Sequence, residues 1–318
     1  MPTVPRVVVT RGLPEPALRA LRESGADVWV SPEDRALATD ELHAAVSGAD
    51  AVVTMLHDRV DDGFLAAAGD QLQVVANVAV GYDNVDLDAA RRHGVTITNT
   101  PGVLTDATAD LAIALLLAVT RRLGEGERLI RTGEPWAWSM DFLLGRGLRG
   151  KTLGIVGYGA IGRSTAQRAR AFGMEVVYTK RSAGPDPGRV ELDELLERSH
   201  VVSLHCPLTP ETRHLIDADA LARMRADAYL VNTARGAIVD EPALAAALRD
   251  GSIAGAGLDV FEREPEVEPE LLGLENVVLI PHLGSATVET RTAMAELAAA
   301  NAIAVLARDD PPTPVYEA

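Results

Sequence analysis

Residues 152–172, TLGIVGYGAIGRSTAQRARAF, decide the fold. An apolar, β-branched run from Thr152 to Val156 leads directly into GYGAIG, and the residues that follow carry a helical pattern to Phe172. Gly157, Gly159 and Gly162 stand where a strand-turn-helix dinucleotide site needs glycine: for a tight turn, for close approach of the backbone to pyrophosphate, and for helix–strand contact. The first helical residues, Ala160 and Ile161, add free N–H groups and the partial positive charge of a helix N-terminus. A bare G-x-G-x-x-G is weak evidence, but between a strand and a helix it predicts a dinucleotide-binding domain.

Outward from this stretch, short β-branched runs alternate with helical patterns in both directions, the signature of parallel-sheet α/β architecture. Downstream come strand candidates at 175–179, 201–205, 229–233, 256–260 and 277–280. Upstream, five more fall at 6–10, 27–30, 51–56, 74–78 and 96–100, with helices between them. The expected fold is α/β with two doubly wound parallel-sheet domains. A Rossmann NAD(P)-binding domain, residues 101–283, is inserted in a flavodoxin-like substrate domain formed by 1–100 and 284–318. Ligands are expected at the carboxyl ends of the strands. Residues 105–122, TDATADLAIALLLAVTRR, read as a helix apolar around most of its circumference and hence buried on most sides, between domains and also at a subunit interface.

Composition narrows the classes. The chain has 318 residues, a formal charge of -16 and one cysteine. Cys206 alone can form neither an intrachain disulfide nor a thiolate zinc cluster, which fits a reducing, cytoplasmic setting, and the chemistry implied below needs no metal. An acidic average field argues against nucleic acid and anionic membranes as partners. The start, MPTVPRVVVT, has no basic region leading into a long apolar core, so no signal peptide is expected.

The residue that should read the adenosine ribose lies at the end of the strand after GYGAIG. Lys180 stands there instead of an acid, followed by Arg181 and Ser182. An aspartate would accept hydrogen bonds from a ribose 2′-hydroxyl and repel a 2′-phosphate, whereas Lys180, Arg181 and Ser182 offer donors to phosphate. The expectation is NADPH in preference to NADH, with NADH possible. Only two lysines occur among 30 basic residues, and one occupies this position.

Three further residues fall at or just past the carboxyl ends of strands: Arg235 in YLVNTARG, Glu264 in GLDVFEREP and His282 in VVLIPHLGSA. Each alone has a structural alternative, since a histidine after a strand, an arginine at a strand end and a glutamate in an acidic loop are commonly packed, paired or solvated. Together with VGYDNVD (80–86), TPGVLTDATADLA (100–112), GYGAIG, NTARGAIVD (232–240), GAGLDVFEREP (255–265) and PHLGSAT (281–287), they carry a resemblance. Over nearly its whole length the chain resembles the D-isomer-specific 2-hydroxyacid dehydrogenases, most of all the glyoxylate and hydroxypyruvate reductases.

The resemblance implies a catalytic set. Arg235 binds the carboxylate and carbonyl of a 2-oxo acid, His282 gives a proton to the carbonyl oxygen, and Glu264 pairs with His282. Hydride arriving at a carbonyl carbon develops negative charge on oxygen, which a guanidinium stabilises and an imidazolium then quenches. A carboxylate beside an imidazole favours its charged form, so Glu264 is expected to keep His282 a competent donor. For the substrate the family also implies Leu56, Val80, Gly81, Ser285 and Trp138, with Val80 and Gly81 as a backbone-amide cradle for the carboxylate. For the cofactor it implies Val103, Thr108, Cys206, Pro207, Thr212, Thr233, Ala234, Asp259, His282 and Gly284 beside the glycine motif.

The same resemblance limits the substrate. Phosphoglycerate dehydrogenases carry an arginine where this chain has Asn77, and phosphite-oxidising relatives a lysine where it has Val80. The expected reaction is NADPH-dependent reduction of short 2-oxo acids, glyoxylate to glycolate and hydroxypyruvate to D-glycerate. The alternatives are a broader 2-hydroxyacid dehydrogenase acting on bulkier 2-oxo acids and, from another class, a nucleotide-sensing corepressor-like binding protein. Trp136 and Trp138 lie in a segment that in the reductases reaches a neighbouring subunit, so a homodimer through the 105–122 helix and the 133–150 segment is expected.

Overall fold

The computed structural model describes residues 4–181 and 187–315, which fall into two compact units, Met1–Leu104 with Ala286–Ala318 and Thr105–Ser285. In the first unit β1 (Arg6–Val9), α1 (Glu15–Glu23), β2 (Asp27–Val30), α2 (Thr39–Val46), β3 (Ala51–Thr54), α3 (Asp62–Ala68), β4 (Val74–Asn77), α4 (Leu87–His93) and β5 (Thr96–Thr98) alternate along the chain. The strands form one parallel sheet in the order β2-β1-β3-β4-β5, the flavodoxin arrangement. β3 and β4 are buried at every residue, which is why they read as apolar runs up to their last residues, Thr54 and Asn77, rather than alternating ones. Asp61 and Asp86 start α3 and α4 by accepting from Phe64 N and Ala89 N, and Gly94 ends α4 in the left-handed region.

The second unit runs through α5 (Thr105–Thr120), α6 (Leu123–Thr132), β6 (Thr152–Val156), α7 (Ala160–Ala171), β7 (Glu175–Thr179), α8 (Leu192–Arg198), β8 (Val201–Leu204), α9 (Ala218–Arg223), β9 (Tyr229–Asn232), α10 (Glu241–Arg249), β10 (Gly255–Leu258), α11 (Pro269–Leu272) and β11 (Val277–Leu279). Its six parallel strands take the order β11-β10-β9-β8-β6-β7. Beyond β7 a single parallel bridge, Tyr178 to Arg189, occupies the place of the remaining strand of a Rossmann sheet. The strand order reverses between β6 and β8, so the loops after them, at Gly157 and at His205, flank the crevice where such sheets bind ligands.

α5 is buried over most of its length, and its Leu115 lies so close to β10 that a Cβ on Gly257 would sit 3.0 Å from the Leu115 Cβ. The helix ends at Thr120, two residues short of the expected Arg122, because Arg122 takes a left-handed φ of 55° and starts α6 with its guanidinium on Glu125. The sequence pattern does not reveal α6, since none of its residues is buried. α12 (Val288–Leu306) then packs on the first sheet beside α1, with Ala295, Ala298 and Ala302 against Val7, Val9, Leu18 and Leu21. Among the described residues no helix is long and apolar enough to cross a membrane.

Candidate active site

The glycine turn is built as its chemistry requires. Gly157 has φ +95°, and a Cβ there would lie 2.4 Å from Cys206 N; on Gly162 one would lie 2.3 Å from Gly157 O. Both positions therefore exclude any side chain, because the two loops of the crevice and the first turn of α7 touch backbone to backbone. At Gly159 a Cβ would meet nothing within 4 Å. That open space lies in front of the N-terminus of α7, where Gly159 is the N-cap and no side chain caps the helix. The amides of Ala160, Ile161 and Gly162 are thus available to an anion, as a pyrophosphate needs.

Lys180 and Arg181 follow β7 directly, beside this turn, since Gly157 N donates to Thr179 O at 3.0 Å. The Lys180 ammonium lies 6.0 Å from the centre of the Tyr178 ring, which stacks on Tyr158 of the glycine motif with centroids 3.7 Å apart. Ser182 lies outside the described residues.

Across the crevice, burial drives the Cys206 thiol up to about 11, which makes it inert as a nucleophile at neutral pH. Burial lowers His205 to about 4, so its ring is neutral; Ser203 Oγ lies 2.9 Å from its Nε2. Pro207 is exposed, and Thr212 closes the loop by donating to Pro207 O at 2.7 Å. At the end of β9, Thr233 Oγ1 is buried without a hydrogen-bond partner among the described residues, and Ala234 N donates to Asn232 Oδ1. An orphaned buried hydroxyl and an open helix N-terminus in one crevice fit a bound dinucleotide. Thr108 is already engaged within the protein, where its hydroxyl donates to Gly284 O at 3.1 Å. Val103 is exposed in the turn before α5.

The three catalytic candidates all lie in the second unit. His282 Nδ1 and Glu264 Oε2 are 2.8 Å apart, both side chains about one-third exposed or less. Glu264 Oε1 accepts from Phe261 N, so the carboxylate is fixed at both oxygens. Burial pushes the Glu264 carboxyl up, but the His282 hydrogen bond and charge, Phe261 N–H and the Arg235 charge prevail and hold it below its ordinary range. Arg235 is therefore close enough to be felt electrostatically at Glu264. Gly236 explains that proximity, because a Cβ on it would collide with the Phe261 and Glu262 backbone.

His282 has a left-handed φ of 52°, an uncommon state for a residue with a Cβ and one found at functional sites. Asp259, fully buried, sustains it. Its oxygens accept from Leu283 N at 2.5 Å and Gly284 N at 2.8 Å, while its own carbonyl accepts from His282 N. Burial raises the Asp259 carboxyl despite those two amides. Two further residues escape the sequence reading. Asn232 holds the Arg235 carbonyl at 2.8 Å, and Glu241, buried, accepts from Glu262 N at 2.7 Å and fixes the loop that carries Glu264. A buried polar residue after an apolar strand, as in VNTARG, is the signal that could have marked Asn232.

In the first unit, Leu56 lies in the turn after β3, and Val80 and Gly81 follow β4. Leu56, Val80 and Gly81 are all half-buried. Ser285 ends the second unit, half-buried. Trp138 is 75% exposed, within a segment whose only ring contact among the described residues is Trp136 on Phe142.

Residues 113–284 match the family model for the NAD-binding domain of the D-isomer specific 2-hydroxyacid dehydrogenases. A glyoxylate reductase of Thermococcus litoralis is 47% identical over 97% of this chain and 96% of its own. A protein of known structure from Thermus thermophilus is 50% identical with a TM-score of 0.93, covering 98% of this chain and 100% of its own. An NADPH-dependent glyoxylate/hydroxypyruvate reductase from Sinorhizobium meliloti, solved with NADP and malonate, is 36% identical with a TM-score of 0.86, covering 98% of this chain and 97% of that one. Likeness over the full length, together with the paired His282 and Glu264 beside Arg235 and an intact dinucleotide turn, makes this chain a nicotinamide-dependent oxidoreductase belonging to the D-isomer specific 2-hydroxyacid dehydrogenase family.

Proposed function

We propose that the protein reduces glyoxylate to glycolate, and hydroxypyruvate to D-glycerate, with NADPH. The observation that carries the reading is the His282–Glu264 pair within the field of Arg235, a proton donor beside a fixed cation. The bound dihydronicotinamide supplies the hydride. Arg235 holds the substrate carboxylate and meets the charge that grows on the carbonyl oxygen, and His282 delivers the proton to that oxygen. Glu264 keeps the imidazole oriented and balances its charge. In the first unit, the Val80 and Gly81 amides are assigned to the carboxylate. The glyoxylate reductase from Thermococcus litoralis and the Sinorhizobium meliloti enzyme, by what they act on, support the short substrate.

Lys180 and Arg181 support NADPH, since two cations and no carboxylate follow β7 where the ribose is read. Lys180→Asp with Arg181→Ala should invert the preference, lowering kcat/KM for NADPH about 10- to 100-fold, the value of one or two charge-assisted hydrogen bonds, while NADH gains. Steady-state assays with both cofactors, and with glyoxylate, hydroxypyruvate, pyruvate and phenylpyruvate, check this. Equal kcat/KM for the two cofactors in the unmodified enzyme would sink the NADPH assignment, and a preference for phenylpyruvate the short-substrate one.

The exposed Leu123, Ile130, Trp136, Trp138, Met140 and Leu144 form an apolar series along α6 and the segment after it. We assign it to a second copy of the chain, and a monomeric mass by light scattering at micromolar concentration contradicts that.

A further inference from the structure

Three consecutive carbonyls after β4 are each held from one side. Ala79 O accepts from Thr100 N at 2.8 Å, Val80 O from Asn99 Nδ2 at 2.8 Å, and Gly81 O from Asn77 Nδ2 at 3.2 Å. In a trans peptide the C=O and the next N–H point to opposite sides. Fixing the carbonyls of Ala79 and Val80 therefore turns the N–H groups of Val80 and Gly81 the other way. Neither of those two amides meets an acceptor among the described residues.

The residues that hold the carbonyls are themselves held. Asn77 is fully buried, accepts from Thr54 Oγ1 at 3.1 Å and exchanges hydrogen bonds with Asn84, whose amide also donates to Asp58 O at 2.9 Å. Asn99 is tied to the far end of the chain. Its carbonyl accepts from Thr313 Oγ1 at 2.6 Å, and its N–H donates to Thr313 O. Thr313 in turn exchanges two hydrogen bonds with Asn301, a fully buried side chain of α12, and the segment continues with Val315 N donating to Ile97 O.

We propose that Asn99 is a positioning residue for substrate carboxylate, which fixes the Val80–Gly81 amides in advance, and that the C-terminal segment at Thr313 acts on substrate affinity through it. The inference rests on the assignment of those amides to the carboxylate. A peptide fixed before binding loses little freedom on binding, so its hydrogen bonds to an anion count more fully. Loss of the Asn99 amide frees the peptide between Val80 and Gly81 to rotate. The effect belongs to carboxylate binding and leaves dinucleotide binding in the other unit intact.

The test compares Asn99→Ala and Thr313→Val with the unmodified enzyme, using glyoxylate turnover and, separately, calorimetric binding of oxalate to the NADPH-saturated protein. Asn99→Ala should raise KM for glyoxylate and the Kd for oxalate together, about 5- to 10-fold, the size of one net hydrogen bond. KM for NADPH stays unchanged, and kcat falls less than twofold. Thr313→Val, which keeps the side-chain volume and removes the hydroxyl, should give about a 2- to 3-fold rise in the same two quantities and serves if the first variant folds poorly. Unchanged oxalate affinity in folded Asn99→Ala or Thr313→Val overturns the proposal, as does an equal loss of NADPH and oxalate affinity. An unmodified enzyme that binds oxalate but does not turn over glyoxylate defeats the functional reading alone, and the oxalate comparison still decides the role of Asn99.

Discussion

Arg235→Ala lowers kcat/KM for glyoxylate by about 10²- to 10³-fold, or about 2.7–4 kcal/mol, the usual cost of removing one preorganised partner of a developing oxyanion. Because the guanidinium also holds the ground-state carboxylate, KM rises and kcat falls together rather than one alone. The loop should survive. Its backbone keeps the Asn232 amide on the Arg235 carbonyl and the packing of Gly236 against Phe261, and loses the guanidinium's hydrogen bond to Ala234 O at 2.9 Å. Thermal melting within a few degrees of the unmodified protein is the control. Arg235→Lys should recover only part of the loss, since an ammonium cannot span two oxygens as the planar fork does. A folded Arg235→Ala enzyme with kcat/KM within a few-fold of normal would remove Arg235 from the reaction and, with it, the reason to place the substrate beside His282.

What could be read in the sequence was what depends on local pattern. GYGAIG between a strand and a helix is such a case, because the tight turn, the contact with Cys206 and the open face at Gly159 all follow from glycine at three fixed spacings. The strands were legible for the same reason, buried on both faces and so mostly apolar. Arg235, Glu264 and His282 came from strand ends and motif resemblance; the chain separates Arg235 from His282 by many residues and two further strands, and no spacing predicts that Glu264 lies 2.8 Å from His282. The supporting polar residues were not legible. Asn232, Glu241 and Asn99 matter through bonds to backbone groups brought near only by the tertiary fold, and an asparagine after a strand looks the same whether it holds a catalytic loop or meets water. α6 escaped for the opposite reason: none of its residues is more than half-buried, so it has no counterpart in the core by which a helix is recognised.

His282→Asn should cost about 10²- to 10⁴-fold in kcat/KM for reduction, the range of a positioned general acid. Asparagine is the informative replacement. Position 282 has a φ of 52°, which asparagine tolerates better than alanine, so the variant removes the proton without adding backbone strain. The Asp259 carboxylate continues to hold the Leu283 and Gly284 amides, and melting should change little. Glu264→Gln should give a smaller loss, because the amide oxygen can still accept from Phe261 N while the balancing charge is gone. The acid side fixes the sign for Glu264. Its carboxyl is depressed in the folded protein, so its contribution is fully present at neutral pH and disappears only as pH falls through that lowered value. A folded His282→Asn enzyme with kcat/KM within a few-fold of normal would show that another group gives the proton, and the buried, neutral His205 could not be that group.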